Sequence, residues 1–210
     1  YETMQNGKAH FIGPDQLHGL EKRLTTDICP SDNCWYGIWD DPDRILDWFH
    51  TLGNVVTAGI AERSSQQDHD FDAAHTTVRW LYDYARSPEQ RPFFLKVSFS
   101  HPHDPYVTPP AYWDRYRDDE IDMPVTPNIP LPDRDRHGQW LYRHYDRGEY
   151  DVTEEHIRQA RHGYYDSISL VDDLVCQVMD ALVSARLDQN TIVVFTADHG
   201  DMLGERGAWY

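Results

Sequence analysis

Apolar residues recur along this chain with two periods, one helical and one extended. Between Asp70 and Arg86 the spacing of Phe71, Ala74, Val78, Leu81, Tyr82 and Ala85 predicts one apolar helix face, which Ser87-Pro88 closes. Phe93-Phe94-Leu95-Lys96-Val97-Ser98-Phe99 predicts a buried strand that enters the polar loop Ser100-His101-Pro102-His103-Asp104-Pro105-Tyr106. A longer helix is expected from about Glu154 to Ala185, with Ile168, Val171, Leu174, Val175, Val178, Met179 and Leu182 on its apolar side. After a turn at Leu187-Asp188-Gln189-Asn190, the run Thr191-Ile192-Val193-Val194-Phe195-Thr196 reads as a parallel strand buried on both faces. The first forty residues are loop-rich, interrupted by Gly7, Gly13, Pro14, Gly19, Pro30 and Gly37. Residues 107–150 lack a period and are rich in Pro, Asp, Arg and Tyr, so an irregular excursion or lid is expected there. The order helix, strand, polar loop, excursion, helix, strand, polar loop is α/β alternation. It predicts an α/β fold, a mostly parallel sheet with helices on both faces.

Composition narrows the partners. At 210 residues the chain is long enough for one large domain. Its 19 Lys plus Arg against 36 Asp plus Glu give a net charge of -17, and no basic patch offsets it. Such a surface repels nucleic acid and anionic membranes, so neither is expected as a partner. No apolar stretch is long enough to span a bilayer, and no signal peptide is visible. Cys29, Cys34 and Cys176 are an odd number without a Cys-x-x-Cys pair, and indicate neither a disulfide framework nor a zinc site. A reducing, cytoplasmic home fits them best, with the periplasm as the alternative. Tyr1-Glu2-Thr3 is not a natural start and Trp209-Tyr210 ends just after a motif, so the sequence reads as an internal piece of a longer protein.

Three polar clusters carry candidate chemistry. Asp198-His199-Gly200-Asp201 follows the last predicted strand, which puts a carboxylate and an imidazole at the sheet edge where open α/β proteins bind ligands. The same residue types are common in polar turns, and those four residues alone leave both readings open. Lys8-Ala9-His10 lies near the start, and His101-Pro102-His103 follows the first predicted strand. Taken singly, Lys8 and His10 read as a solvated loop pair, while the histidine loop reads equally as functional or as a rigid turn with one histidine capping it. Together the clusters supply a cation, several imidazoles and a carboxylate, a set suited to stabilising an oxyanion while a metal polarises it. Aspartate with neutral imidazole suits a divalent cation, but two ligands are too few, so more must come from elsewhere.

These strings resemble the sulfatase branch of the alkaline phosphatase superfamily, and within it the choline-sulfatase-like group. The likeness rests on Gly7-Lys8-Ala9-His10-Phe11 followed by Gly13-Pro14-Asp15-Gln16-Leu17-His18-Gly19. It rests also on Phe93-Phe94-Leu95 through Ser98–Tyr106, and on Asp188 through Asp198-His199-Gly200-Asp201-Met202-Leu203-Gly204-Glu205. The last string is the most specific for the superfamily, and the first two for the choline-sulfatase-like group. The resemblance implies that residues 1–210 are the central part of a single catalytic domain of an alkaline-phosphatase/sulfatase-like fold. It implies hydrolysis of a sulfuric ester, choline O-sulfate to choline and sulfate, through a formylglycine made from an upstream Cys or Ser.

Residue by residue, the resemblance makes Asp198 and His199 two of four protein ligands of a divalent cation, calcium or else manganese or magnesium. Lys8 and His10 become pocket residues near the sulfate and the nucleophile. His103 becomes the histidine that hydrogen-bonds the ester and assists the leaving group. Trp35 becomes the aromatic that faces the quaternary ammonium, for which cation–π attraction gives a physical basis; a core tryptophan beside Tyr36 and Trp39 is an equal reading. The implied partner is a small sulfate ester, and the implied assembly of the full-length protein is a homo-oligomer. The nucleophile motif Cys/Ser-x-Pro-x-Arg is absent from the chain, and Cys29-Pro30-Ser31-Asp32 does not match its spacing. The piece alone is therefore expected to be inactive. A phosphonate monoester or phosphodiester hydrolase of the same superfamily shares the metal pair and the histidine loop. A non-catalytic binding homologue would keep the fold without the nucleophile.

Overall fold

A computed structural model of the chain describes residues 1–11, 13–28, 51–145 and 149–210. Its elements run β1 (Glu2–Gly7), β2 (Lys22–Arg23), α1 (Gly53–Val56), β3 (Gly59–Ile60), α2 (Ser65–Arg86), β4 (Phe93–Ser98) and β5 (Val107–Thr108). There follow α3 (Pro110–Trp113), α4 (Arg136–Tyr145) and α5 (Glu154–Ser184), with short 3-10 turns between and after them. They fall into two units: Tyr1–Pro42 with Arg63–His101 and Leu170–Phe195, and Asp43–Glu62 with Pro102–Ser169 and Thr196–Tyr210. All strand pairings described are parallel, as α/β alternation requires.

In the first unit β1 is the middle strand of the order β2-β1-β4. It pairs with β4 along its whole length, from Glu2 opposite Phe93 to Gly7 opposite Ser98. The polar pair Gln5-Asn6 conceals this strand from a hydrophobicity reading, yet both residues are buried beside Met4. Asn6 is accommodated because its amide donates to the Ala73 carbonyl and the Thr77 hydroxyl, each at 2.6 Å. At Gly7 (φ +86°) an added Cβ would lie 1.9 Å from the Ser98 carbonyl oxygen, so the chain needs glycine to leave the strand here.

Helix α2 starts five residues before the predicted Asp70, at a capping box. Gln67 N–H donates to Ser64 Oγ, and Ser64 N–H donates to the Gln67 side chain. Its buried stripe is Asp70, Ala73, Ala74, Thr77 and Leu81, rotated from the predicted face, and Phe71 is exposed. Small side chains on that stripe let the helix lie close to β1. Leu81 packs with Ala181 and Leu182 from the C-terminal half of α5, flanked by Val78, Val178 and Met179.

Two strand expectations need correction. β4 is an edge strand of the described sheet, and Phe94 is 55% exposed rather than buried. Residues 191–196 form no strand: Ile192 is 92% exposed and Phe195 80%. Among the described residues this segment has no strand neighbour, and a β-branched run is held in a sheet by its neighbours, not by propensity alone.

The second unit is built around Tyr106, which is fully buried with Leu52, Val55, Ala58, Ala160 and Trp209. β3 and β5 pair in it as a short parallel ladder, Gly59 opposite Val107 and Ile60 opposite Thr108. Within 107–150, expected to be irregular, the described residues hold β5, α3, 3-10 turns and α4. Residues 202–209 close on themselves through Met202 N–H to the Trp209 carbonyl and Gly204 N–H to the Ala208 carbonyl. Glu205 accepts from Val125 and Thr126 N–H, and Arg161 donates to the Leu203 carbonyl and to Asp122.

Helix α5 approaches the chain at Tyr106 so closely that a Cβ on Gly163 would lie 2.4 Å from the Tyr106 carbonyl oxygen. Alanine is the better helix former by about 1 kcal/mol, but here it would force apart buried backbone at a cost of roughly 1–3 kcal/mol. Gly163→Ala is therefore expected to lower the urea midpoint of the full-length protein; an unchanged or raised midpoint would show that the contact yields freely.

Candidate active site

The loop after β4 is anchored at its root by one buried carboxylate. Asp70, fully enclosed on α2, accepts from Ser100 N–H at 2.8 Å and from His101 N–H at 2.9 Å. His101 Nδ1 lies 2.7 Å from its second oxygen and His69 Nδ1 2.8 Å from its first. A carboxylate only accepts, so both rings carry their proton on Nδ1. Burial alone would raise the Asp70 carboxyl, but the hydrogen bonds from His101 and His69 outweigh it and hold it below the ordinary value. His101, one of the two loop histidines, is thus a buried structural residue.

The other predicted residues of the first unit stand on the turn after β1. Lys8 N–H continues the ladder to the Ser98 carbonyl at 3.0 Å. Asp27 Oδ2 gathers Ala9 N–H, His10 N–H at 2.8 Å and the Arg23 guanidinium at 2.7 Å. This holds exposed His10 at φ +56°, a conformation uncommon outside glycine and a marker of a constrained loop. Burial would raise the Asp27 carboxyl, yet these donors bring it down.

The second unit brings His103 and His199 together, their rings 5.9 Å apart and nearly perpendicular. His103 Nδ1 lies 2.7 Å from Asp104 Oδ1, and the other Asp104 oxygen accepts from the Asn54 side-chain amide of α1. Asp201, next to both rings, accepts from the Tyr106 hydroxyl at 3.1 Å. Burial and the charge of Asp104 push the Asp201 carboxyl up, while His103 and Tyr106 restrain the rise. Burial, then the charges of Asp201 and Asp104, push the Tyr106 hydroxyl well up, so it stays a hydrogen-bond donor.

Asp198 and His199 are both exposed, and His199 N–H donates to Asp198 Oδ1 at 3.0 Å. His199 Nδ1 lies 3.2 Å from the Gly200 carbonyl, which assigns the proton to Nδ1 and makes Nε2 an acceptor. That tautomer and the adjacent carboxylate fit a divalent cation as part of its ligand set. Among the described residues no group of three or more His, Cys, Asp or Glu side chains is placed to hold one. Trp35, Cys29 and Cys34 lie outside the described residues. Asn54, Asp70, Asp104, Tyr106 and Asp201 escaped the sequence reading as site residues, although Asp104, Tyr106 and Asp201 stand inside the motifs themselves.

The Sulfatase family model matches residues 26–210. A choline-sulfatase of Rhizobium meliloti (strain 1021) is 44% identical over 214 aligned positions, covering 100% of this chain and 42% of that protein. An arylsulfatase of Clostridium perfringens (strain 13 / Type A) is 29% identical over 187 positions, covering 80% of this chain and 36% of that protein. The solved structure of a phosphonate monoester hydrolase of Agrobacterium radiobacter superposes with a TM-score of 0.64 at 20% identity, covering 100% of this chain and 47% of that one. The chain spans less than half the length of each, and the last shares its fold. The family match takes in both the histidine loop at 101–103 and the Asp198-His199 pair, and with it the chain belongs to the sulfatase family.

Proposed function

We propose that this chain is part of a sulfuric ester hydrolase whose substrate is choline O-sulfate. The observation that carries the reading is the 44% identity to a choline-sulfatase along the whole chain, histidine loop and Asp198-His199 pair included. Asp198 and His199 would supply two ligands to a divalent cation, calcium or else manganese or magnesium, which when bound would neutralise charge on the sulfate oxygens. Lys8 and His10 would line the sulfate pocket, Lys8 as a fixed cation. His103 would give its proton to the bridging ester oxygen as that oxygen takes the S–O bonding pair and leaves as the alcohol. The nucleophile, formylglycine from an upstream Cys or Ser, would lie outside this chain, and Trp35 would face the ammonium. The assembly we propose is a homo-oligomer acting on a small ester, in the cytoplasm or else the periplasm. Among the described residues no helix is long and apolar enough to cross a membrane.

The alternative is a phosphonate monoester hydrolase, favoured by the shared fold with that enzyme. The test is sulfate release by the full-length protein, produced with a formylglycine-generating enzyme, from choline O-sulfate, with an aryl sulfate and a phosphonate monoester as competitors. A strong preference for choline O-sulfate is expected. Preference for the phosphonate would keep the family and overturn the substrate, and turnover of none would overturn the substrate class.

A further inference from the structure

We propose that Asp104 is the positioning residue for His103, holding the ring by Nδ1 so that Nε2 is the nitrogen presented to the ester oxygen. The proposal rests on the reading of His103 as the group that assists the departing alcohol. Both residues, and every group that fixes them, belong to the second unit.

The Asp104 side chain is 1% exposed. Ionised carboxylates are buried at considerable cost and persist where partners are arranged around them. One oxygen lies 2.7 Å from His103 Nδ1, the other takes the Asn54 amide, and the Tyr210 hydroxyl reaches both Asn54 and Asp104. Tyr210 is itself tied by its hydroxyl to the Thr51 carbonyl at 3.0 Å. Satisfying the imidazole does not require this arrangement, because the Asp104 carbonyl oxygen already lies 3.1 Å from Nδ1. What the enclosed carboxylate adds is orientation and a single tautomer. A carboxylate accepts and never donates, so Nδ1 keeps its proton throughout, and the proton given to the ester oxygen is the second one of the imidazolium, carried on Nε2. The Asn54 amide, by donating to the second oxygen, fixes the plane of the carboxylate and so the oxygen that faces Nδ1.

The test uses the full-length, formylglycine-containing protein and two sulfate esters, choline O-sulfate and 4-nitrophenyl sulfate. The first leaves as an alkoxide unless protonated; the second leaves readily without a proton. Asp104→Asn is expected to lower kcat on choline O-sulfate by about 10²-fold or more, and on 4-nitrophenyl sulfate by less than about fivefold, with KM changing little on either. Asn54→Ala, a milder change, is expected to show the same selectivity at about tenfold on choline O-sulfate, and it decides the matter if Asp104→Asn does not fold. In a His103→Ala background Asp104→Asn is expected to cost nothing further. Equal losses on the two esters, or losses that multiply in the double variant, would overturn the proposal. If His103→Ala itself spares choline O-sulfate, the reading beneath it falls; if His103→Ala is severe and Asp104→Asn and Asn54→Ala are not, the positioning role alone falls.

Discussion

Asp198→Ala in the full-length protein is expected to lower kcat/KM on choline O-sulfate by about 10³-fold or more and to reduce bound divalent metal together with it. A divalent cation at a reacting sulfate is worth several kcal/mol of charge stabilisation, and each 1.36 kcal/mol is about tenfold in rate. The expectation follows from placement. Asp198 is exposed and its Oδ1 is met by the His199 N–H, a surface position where a substitution is expected to cost the fold little. His199→Ala should behave alike, because the Gly200 carbonyl sets the ring with Nε2 outward. His199→Gln tests this point, since an amide cannot reproduce that geometry and should lose metal as well. Metal content by mass spectrometry separates a ligand role from a structural one. Full metal occupancy with lost turnover would remove Asp198 from the ligand set, and unchanged turnover would remove it from the site.

How much of this was legible in the sequence differs between helices and strands. Helix spacing reports directly on a face, so the predicted α2 and α5 agree with the observed ones to within a few residues, and the Ser64–Gln67 box that begins α2 is itself a sequence signal. The face itself slipped, because Asp70 and Thr77 are buried by hydrogen bonding, which hydrophobic periodicity does not register. β1 was missed because Gln5 and Asn6, polar by type, are buried in the middle strand of the described sheet, where the Asn6 amide is held by Ala73 and Thr77. Residues 191–196 erred the other way, since strand propensity is evident in the sequence and the presence of a neighbouring strand is not. The histidine loop and the Asp198-His199 pair were legible as motifs. Their supports were not, because Asp70 is 31 residues from His101 and Asn54 is 50 from Asp104, and no local pattern announces such a pairing.

The largest stability effect is expected at Asp70. Asp70→Asn should destabilise the full-length protein by about 3 kcal/mol at pH 7, the scale of removing one partner from a buried polar cluster. Four donors converge on this carboxylate, two backbone N–H groups and the Nδ1 atoms of His69 and His101. Asparagine can accept at one atom only, and its amide would point a donor at donors. The effect must also depend on pH with a definite sign. Folded Asp70 binds its proton less readily than the unfolded chain, so its contribution is complete above the unfolded carboxylate value of about 4. It is lost as pH falls through the lower folded value. Urea midpoints of wild type and Asp70→Asn should therefore lie far apart at pH 7 and approach one another in acid, below the unfolded carboxylate value of about 4. A gap that stays constant across that range would mean that the cluster is held by shape and not by the charge. Under the role proposed for His103, the consequence reaches turnover along the chain: Ser100 and His101 are the two residues that Asp70 grips, and His103 follows two positions later. A variant that loosens this root should raise loop mobility before it unfolds the protein, and lose turnover at temperatures below its melting transition.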